Sequence, residues 1–361
     1  MPSDRSAAQV SGLDGFRDPR GAAGRAPGLV YMGSAQVGVF AAALRAQLWA
    51  GQRVLLSGPA DSDGDSIGSC LAMGRALRTL GVQVTVAGRA SARYLPLSGA
   101  GAMVPDADVR DDVDVAIVLD GERGRLHAAV RAVFDRAPCP VLIDHHQSTR
   151  AEGYALALVA PTAASTAELV LGIIDAWGVA VDTAMAEAIY TGMLYDTGGF
   201  RHSNTDASTL RTAARLLDCG IDHNAICLRT LYERRPAGAA LLGRTLAAVR
   251  QPVPAVAIGQ IAAGDLRDTG ASFSDVEGII DHLLHIEGVE LAALMTERAP
   301  QQVRLSLRSR RRVDCAQLAR ALDPQGGGHR RAAGGALAGP LELVRHIVEP
   351  ALIAAVLDVQ G

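Results

Sequence analysis

The sequence has few cysteines and few aromatic residues, and neither kind forms a recognisable site. Its five cysteines are odd in number and include no C-x-x-C pair, which argues against a disulfide framework and a thiolate zinc site and favours a reducing cytoplasm. Aromatic residues make up 4% of the chain, so stacking platforms for a long single strand of nucleic acid are scarce. The first predicted strand leads into an acidic loop instead of G-x-G-x-x-G, which disfavours a nucleotide-cofactor oxidoreductase.

Long apolar runs and a strong net charge are also missing. No stretch approaches the roughly 20 apolar residues of a membrane span, and Asp4, Arg5 and Asp14 stand where a secretory signal would be apolar. We therefore expect neither membrane contact nor secretion. The formal net charge of -3 gives no overall attraction to duplex DNA, so any polyanion must be bound by local basic patches.

The chain is long enough for two domains. It has 361 residues, of which 49% are hydrophobic, so each domain can bury its own core. Residues 1–30 are rich in Gly, Ala, Pro, Ser and Arg and lack hydrophobic periodicity, which predicts a disordered tail. We expect a first domain over residues 31–225, a connecting helix or linker over 226–250 and a second domain over 251–361.

The first domain is predicted to be α/β. Apolar runs at 53–57, 82–87, 113–119 and 140–143 read as strands, and helical patterns lie between them, so the sheet should be mostly parallel with flanking helices. The first of these strands is followed by a predicted loop over 58–69 and a helix over 70–80. The second domain is predicted to be a smaller α+β unit, with antiparallel strands and helices on one side.

Side chains that can bind a metal ion or a phosphate group follow the predicted strands at their carboxyl ends. They are Asp63 and Asp65 after the first strand, Asp120 after the third, Asp144, His145 and His146 after the fourth, and Asp196 at a later helix end. The carboxyl ends of parallel strands share one edge, so these carboxylates can meet, and there they would repel one another. A pair of divalent cations removes that conflict; mixed carboxylate and imidazole ligands suit Mn²⁺, with Mg²⁺ or Fe²⁺ as weaker candidates. Hydrolysis of a phosphate ester is the natural reaction.

The second domain carries a basic, glycine-rich segment. Backbone N–H groups of Gly326, Gly327 and Gly328 can approach a phosphate closely because glycine has no side chain in the way. His329 and Arg308 can add further contacts to an anion. A short substrate held between the two domains is therefore the favoured interpretation.

Together these segments resemble the DHH phosphoesterase superfamily, over roughly residues 33–357. The matching motifs are Asp63-Gly64-Asp65-Ser66-Ile67-Gly68-Ser69, Asp120, Asp144-His145-His146 and Asp196-Thr197-Gly198, with Arg308-Ser309 and Gly326-Gly327-Gly328-His329 in the associated domain. The arrangement looks most like the nanoRNase class, which degrades very short oligoribonucleotides and removes the 3′ phosphate of pAp. Close relatives act instead on cyclic or linear dinucleotides.

The resemblance implies a role for each residue. One metal ion would be held by Asp65, Asp120, His145 and Asp196, and Asp120 would bridge to a second ion held also by Asp63. His146 would contact phosphate and Asp144 would orient an imidazole. Arg308, Gly326, Gly327, Gly328 and His329 would bind substrate, which would be short single-stranded RNA or a small nucleotide. A homodimer is compatible with the sequence.

One position departs from the family pattern. The first motif of the family has a histidine four residues before its first aspartate, where this chain has Pro59. Three outcomes stay open: Asp61 or water replaces the lost ligand, the enzyme works with a poorly occupied second site, or the protein binds nucleotides without turnover. We favour retained activity because the other family ligands are present. His202, six residues after Asp196, could face the substrate or cap the loop.

Overall fold

The structure, a computed structural model, describes residues 28–358. Most of the predicted disordered tail therefore lies outside the described residues. Its last part does not behave as predicted, because Leu29 and Val30 begin a β-strand that runs to Met32. No helix within the described part of the chain has both the length and the apolar character needed to cross a membrane.

Six strands build the first sheet. They are β1 (Leu29–Met32), β2 (Arg53–Ser57), β3 (Gln83–Val86), β4 (Val115–Leu119), β5 (Cys139–Asp144) and β6 (Leu156–Val159). Their order across the sheet is β1-β6-β5-β4-β2-β3, and every neighbouring pair is parallel. This confirms the predicted parallel α/β sheet.

Seven α-helices within residues 28–358 accompany this sheet. They are α1 (Val37–Ala46), α2 (Gly64–Thr79), α3 (Ala128–Arg136), α4 (Thr166–Ala176), α5 (Thr183–Asp196), α6 (Ala207–Leu217) and α7 (His223–Cys227). All five residues of β4 are buried, because α1, α2, α4 and α5 form a core on one face of the sheet and α3 forms a core on the other. A continuous apolar strand such as β4 requires cover of this kind on both faces.

One helix boundary in the first half differs from the prediction. Helix α2 begins at Gly64, inside the predicted loop, because the Asp63 side chain accepts hydrogen bonds from the backbone N–H groups of Asp65 and Ser66 and so caps the helix. The segment predicted as a connecting helix or linker, residues 226–250, is irregular: α7 runs into a π-helix at Leu228–Tyr232, and a new helix, α8, begins at Pro236 and ends at Ala247.

The second sheet also has six strands. They are β7 (Arg250–Val253), β8 (Val256–Ile261), β9 (Leu291–Ala299), β10 (Gln302–Ser309), β11 (Gly327–His329) and β12 (Ala332–Ala338), in the order β11-β12-β10-β9-β8-β7. Strands β8 and β9 are parallel, and the other pairs are antiparallel. The chain thus forms a second, mixed-sheet domain, whereas the domain bounds given above stay a prediction.

Helices cover both faces of this second sheet, so the prediction of helices on one side was wrong. The remaining helices are α9 (Ala263–Thr269), α10 (Ile279–Leu284), α11 (Cys315–Leu322) and α12 (Leu341–Leu357). Helices α11 and α12 pack on one face, and α8, α9 and α10 pack on the other. Strands β8 and β9 are buried nearly throughout, which is the pattern of a sheet covered on both faces.

Candidate metal centre

The site lies where the order of the first sheet changes direction. From β2 the chain adds β3 on one side and then returns to add β4 on the other, which opens a crevice at the carboxyl ends of β2 and β4. Asp120 follows β4 directly, and Asp144 is the last residue of β5. Asp196, the last residue of α5, lies near the same edge, 2.8 Å from His145.

Asp65 joins two helices at this edge. It lies in the first turn of α2 and is fully buried. Its carboxylate oxygens accept hydrogen bonds from the backbone N–H groups of Thr166 (2.7 Å) and Ala167 (2.9 Å) at the start of α4. The free N–H groups of a helix N-terminus stabilise a carboxylate in this position, so Asp65 is held rigidly.

Asp120 is fixed by its backbone and by one hydroxyl group. Its φ of 64° lies in the left-handed region, which aspartate tolerates better than most residues do. The hydroxyl of Thr166 donates a 3.1 Å hydrogen bond to its Oδ1 atom. The same oxygen lies 3.6 Å from His145 Nε2 and 3.7 Å from His146 Nδ1, so Asp120 stands between the two imidazoles.

One ring nitrogen of His145 makes no hydrogen bond within the described residues and lies among carboxylate oxygens. Its Nδ1 atom is 3.2 Å from the carbonyl oxygen of Ala163, which can only accept, so Nδ1 carries the proton of the neutral ring. The buried Nε2 atom has no hydrogen-bond partner. Asp196 Oδ2 lies 2.8 Å from Nε2 without the geometry of a hydrogen bond, and Asp65 Oδ2 lies 3.8 Å from it. An orphaned imidazole nitrogen among carboxylate oxygens fits a divalent cation.

Asp144 organises the loop after β5. It is fully buried, and it accepts hydrogen bonds from the backbone N–H of His145, from His146 Nδ1 at 2.7 Å and from the hydroxyl of Thr149. Burial alone would raise the pKa of Asp144, but the charge and hydrogen bond of His146 outweigh it and hold the pKa well below the usual range. Asp144 therefore stays ionised and fixes the orientation of the His146 ring.

Like charges crowd the centre. Burial first, and then the charges of Asp120 and Asp196, raise the pKa of Asp63 and of Asp65 well above the usual range. Glu277 of the second domain adds to the effect on Asp63. Burial opposes protonation of His145, but Asp196 outweighs it and raises the pKa of the imidazole. A carboxylate cluster that must share protons in this way is stabilised when a cation binds.

The second domain contributes one imidazole to this centre. His329, at the end of β11, stacks on His146 with ring centroids 4.4 Å apart and lies 4.7 Å from the ring of His145. Burial and the charges of these two histidines lower the pKa of His329 to about 3. Within residues 28–358 three overlapping groups could hold a cation: Asp65, His145 and Asp196; Asp120, Asp144 and His146; and His145, His146 and His329.

Comparisons with known proteins agree with this geometry. Residues 53–193 match the DHH family, N-terminal domain, and residues 255–353 match the DHHA1 domain. The chain is 30% identical over 288 residues to the bifunctional oligoribonuclease and PAP phosphatase NrnA of Thermus thermophilus, covering 77% of this chain and 82% of that protein. The chain belongs to the DHH family.

Solved structures show the same fold. An exopolyphosphatase-related protein from Bacteroides fragilis superposes with a TM-score of 0.81 at 23% identity, covering 90% of this chain and 98% of that one. RecJ of Thermus thermophilus, solved in complex with Mn²⁺, superposes with a TM-score of 0.54 at 15% identity, covering 89% of this chain and 54% of RecJ. These likenesses place both sheets within the DHH-family architecture.

Asp63, the first residue of the predicted motif, and Asp61, the possible substitute ligand, are not members of the cation-binding groups found in the described residues. Asp63 uses Oδ1 to cap α2, and the groups that could hold a cation in the described chain do not include it. Asp61 forms ion pairs with Arg304 at 3.1 Å and Arg125 at 3.8 Å, so its carboxylate is engaged elsewhere. Pro59 is buried, and its ring lies 2.8 Å from the position of a Cβ at Gly121.

The glycine-rich motif of the DHHA1 domain is an ordered hairpin. Strand β11 pairs with β12, and the N–H of Gly326 donates to the carbonyl oxygen of Asp323. A Cβ at Gly327 would lie 3.5 Å from the hydroxyl of Ser148 in the first domain, so this hairpin approaches the loop after β5. Arg308 lies further along the second sheet, 3.7 Å from Asp281. Phosphate binding by the glycines and Arg308 stays a prediction.

Sequence reasoning did not identify Thr166 and Ala167, which bind Asp65 and Asp120. A usable signal exists: Ser165 and Glu168 form the S-x-x-E pattern of a helix start, and Ser165 accepts a hydrogen bond from the N–H of Glu168 at 3.1 Å. The free N–H groups that follow such a cap attract a carboxylate. His202, left open above, binds the carbonyl oxygen of Asp196 through Nδ1 at 3.0 Å, which agrees with a loop cap.

Proposed function

We propose that this DHH-family protein is a metal-dependent phosphohydrolase that cleaves phosphoester bonds of short oligoribonucleotides and of pAp. The observation that carries the proposal is the buried Nε2 atom of His145, which makes no hydrogen bond within the described residues and has carboxylate oxygens of Asp196, Asp120 and Asp65 between 2.8 and 3.8 Å from it. The name of the Thermus relative supports the choice of substrate.

The ligands proposed for one Mn²⁺ ion are Asp65, Asp120, His145 and Asp196, with Asp120 and Asp63 proposed for a second. Mn²⁺ suits this set because most donors are oxygens and one is an imidazole, and Mg²⁺ is the weaker candidate. Bound cations would supply Lewis-acid activation of water and of the phosphoryl oxygens. Asp63 would have to keep its contact with α2 while binding, since its Oδ1 atom caps that helix.

The remaining site residues have roles as binding and positioning groups. His146, held by Asp144 at 2.7 Å, is proposed to contact the substrate phosphate through its Nε2 atom. His329 lies against His146 from the other domain and has a depressed pKa, so it can accept or donate a hydrogen bond as a neutral ring. Arg308 and the backbone of Gly326, Gly327 and Gly328 are proposed to bind the rest of the nucleotide.

A second candidate function is nucleotide binding without turnover. It is favoured by the buried ring of Pro59, which replaces the imidazole of the first motif, and by the ion pairs that engage Asp61. Pro59 has no side-chain ligand to offer, and Asp61 would have to leave its ion pairs to supply one. A protein of this kind would bind at most one metal ion per chain and would retain its ligand unchanged.

One experiment separates the two candidates. Purified protein is incubated with Mn²⁺ or Mg²⁺ and with pAp, a diribonucleotide and a cyclic dinucleotide, and metal content is measured by mass spectrometry. We expect hydrolysis of pAp and of the dinucleotide. The Asp120→Asn variant should lose this activity, and it should still fold because asparagine also tolerates the left-handed backbone conformation of residue 120. Hydrolysis of the cyclic compound alone would redirect the proposal to cyclic dinucleotides. Binding without hydrolysis of any compound would establish the second candidate.

A further inference from the structure

Glu277 of the second domain is held in a fixed position facing the first. It lies between the short helix Phe273–Val276 and α10, and Gly278 after it has a φ of 75°. The guanidinium of Arg234 donates a 2.9 Å hydrogen bond to the carbonyl oxygen of Glu277. This hydrogen bond from a charged side chain to the backbone restrains the segment that carries the Glu277 carboxylate.

The two oxygens of the Glu277 carboxylate have different surroundings. Oε1 accepts a 3.0 Å hydrogen bond from the hydroxyl of Tyr94 and lies 3.4 Å from the guanidinium of Arg93. Oε2 takes part in no hydrogen bond within the described residues. The contact with Arg93 is therefore not a bidentate, hydrogen-bonded ion pair, and Oε2 stays available as a hydrogen-bond acceptor.

Glu277 stands beside the metal centre. The hydroxyl of Tyr94 that binds Glu277 lies 3.0 Å from the position of a Cβ at Gly64, the residue between Asp63 and Asp65. The charge of Glu277 also acts on Asp63 and contributes to its raised pKa. The Glu277 side chain is 23% exposed, so a ligand in the cleft can reach it.

A carboxylate in this place repels phosphate and selects a neutral hydrogen-bond donor. In a nucleotide whose phosphate lies at the centre, the group next to that phosphate is the ribose. We propose that Glu277 accepts a hydrogen bond from the ribose 2′-hydroxyl adjacent to the scissile phosphate and makes the protein selective for ribonucleotides over 2′-deoxyribonucleotides. Arg93, Tyr94 and Arg234 are its positioning residues. This inference rests on the proposed function and names the determinant of its substrate class.

The test uses two compounds that differ in one hydroxyl group, adenosine 3′,5′-bisphosphate and its 2′-deoxy form. We expect the full-length protein with Mn²⁺ to prefer the ribonucleotide in kcat/KM by about tenfold or more, the size that a hydrogen bond to a charged acceptor contributes. Glu277→Ala should lose this preference by slowing only the ribonucleotide, and Glu277→Gln, which keeps an acceptor oxygen, should retain part of it. Arg304→Ala is the matched control, since it breaks another inter-domain ion pair and should leave the ratio unchanged.

Three results would overturn the assignment. Glu277→Ala could slow both compounds equally, which would make Glu277 a contact between domains only. The unaltered protein could fail to distinguish the two compounds. If neither compound is hydrolysed, the proposed function fails, and the role of Glu277 is then tested by calorimetric binding of the two compounds to the same proteins. Equal affinities for the two compounds, or a preference for the ribonucleotide that survives Glu277→Ala, would refute that role.

Discussion

Replacing Gly68 by alanine should destabilise the protein, although alanine is the better helix former. Gly68 lies in α2, and a Cβ there would be 2.3 Å from the carbonyl oxygen of Ala188 in α5. Real Cβ contacts under 3.0 Å are essentially never seen, so the two helices must separate by roughly 0.7 Å or more at this point, at an overpacking cost of about 1–3 kcal/mol. The helix preference of alanine offsets up to about 1 kcal/mol.

The opposing atom belongs to helix backbone, which yields less readily than a side chain, so we expect a net loss of about 2 kcal/mol. For a domain of this size that loss lowers the melting temperature by about 4–8 °C. The measurement is thermal unfolding followed by circular dichroism, with Gly38→Ala as the matched control. No atom of the described residues lies within 4 Å of a Cβ at Gly38 in α1, so the control should be neutral or slightly stabilised.

The same substitution should weaken Mn²⁺ binding, because α2 carries Asp65 and α5 carries Asp196. Isothermal titration of the cation into both variants measures this effect. The reasoning is refuted if Gly68→Ala melts at or above the temperature of the unaltered protein, or if Gly38→Ala is destabilised as much as Gly68→Ala. Either result would mean that the contact between α2 and α5 does not limit what fits at residue 68.

Two further predictions concern the cation and acid stability. Saturating Mn²⁺ at about 100 times its dissociation constant should stabilise the fold by about 2.7 kcal/mol, measured as a rise in melting temperature. The Asp196→Asn variant should show no such rise, and an equal rise in that variant would contradict the ligand assignment. Burial raises the pKa of Asp182, but the hydrogen bonds from the backbone N–H of Met185 and from the side chain of Arg75 outweigh burial and lower the pKa. Ionised Asp182 therefore stabilises the protein above about pH 4, and this contribution is lost as pH falls. The stability difference between Asp182→Ala and the unaltered protein in urea should therefore shrink from pH 7 to pH 3.5, and a constant difference would exclude this origin.

Strong apolar runs were predictable from the sequence, and weak ones were not. The continuous runs that became β2, β4 and β5 have five or six residues each, and the four residues of β3 lie within the predicted strand at 82–87. Strands β1 and β6, which were not predicted, have four residues each and pair with each other. Tertiary pairing of this kind defines a short strand, and local periodicity does not report it.

The candidate site was predictable as a set of residues but not as a set of contacts. Parallel strands bring Asp120, Asp144 and His145 to one edge, and that much follows from topology. The contact of Asp65 with the start of α4 depends on how two helices pack, and the capping role of Asp63 depends on where α2 begins. Glycines and serines at the start of α2 are weak helix formers, so the sequence alone placed that start too late.

The backbone at Asp120 restricts how this position can change. A left-handed residue at the end of β4 is accessible to asparagine and glycine, whereas β-branched side chains are strained there. Asparagine would keep the turn and remove a buried negative charge, so folding alone would favour losing the carboxylate. Aspartate at residue 120 is therefore costly to the cation-free fold, and a bound cation is what would offset that cost.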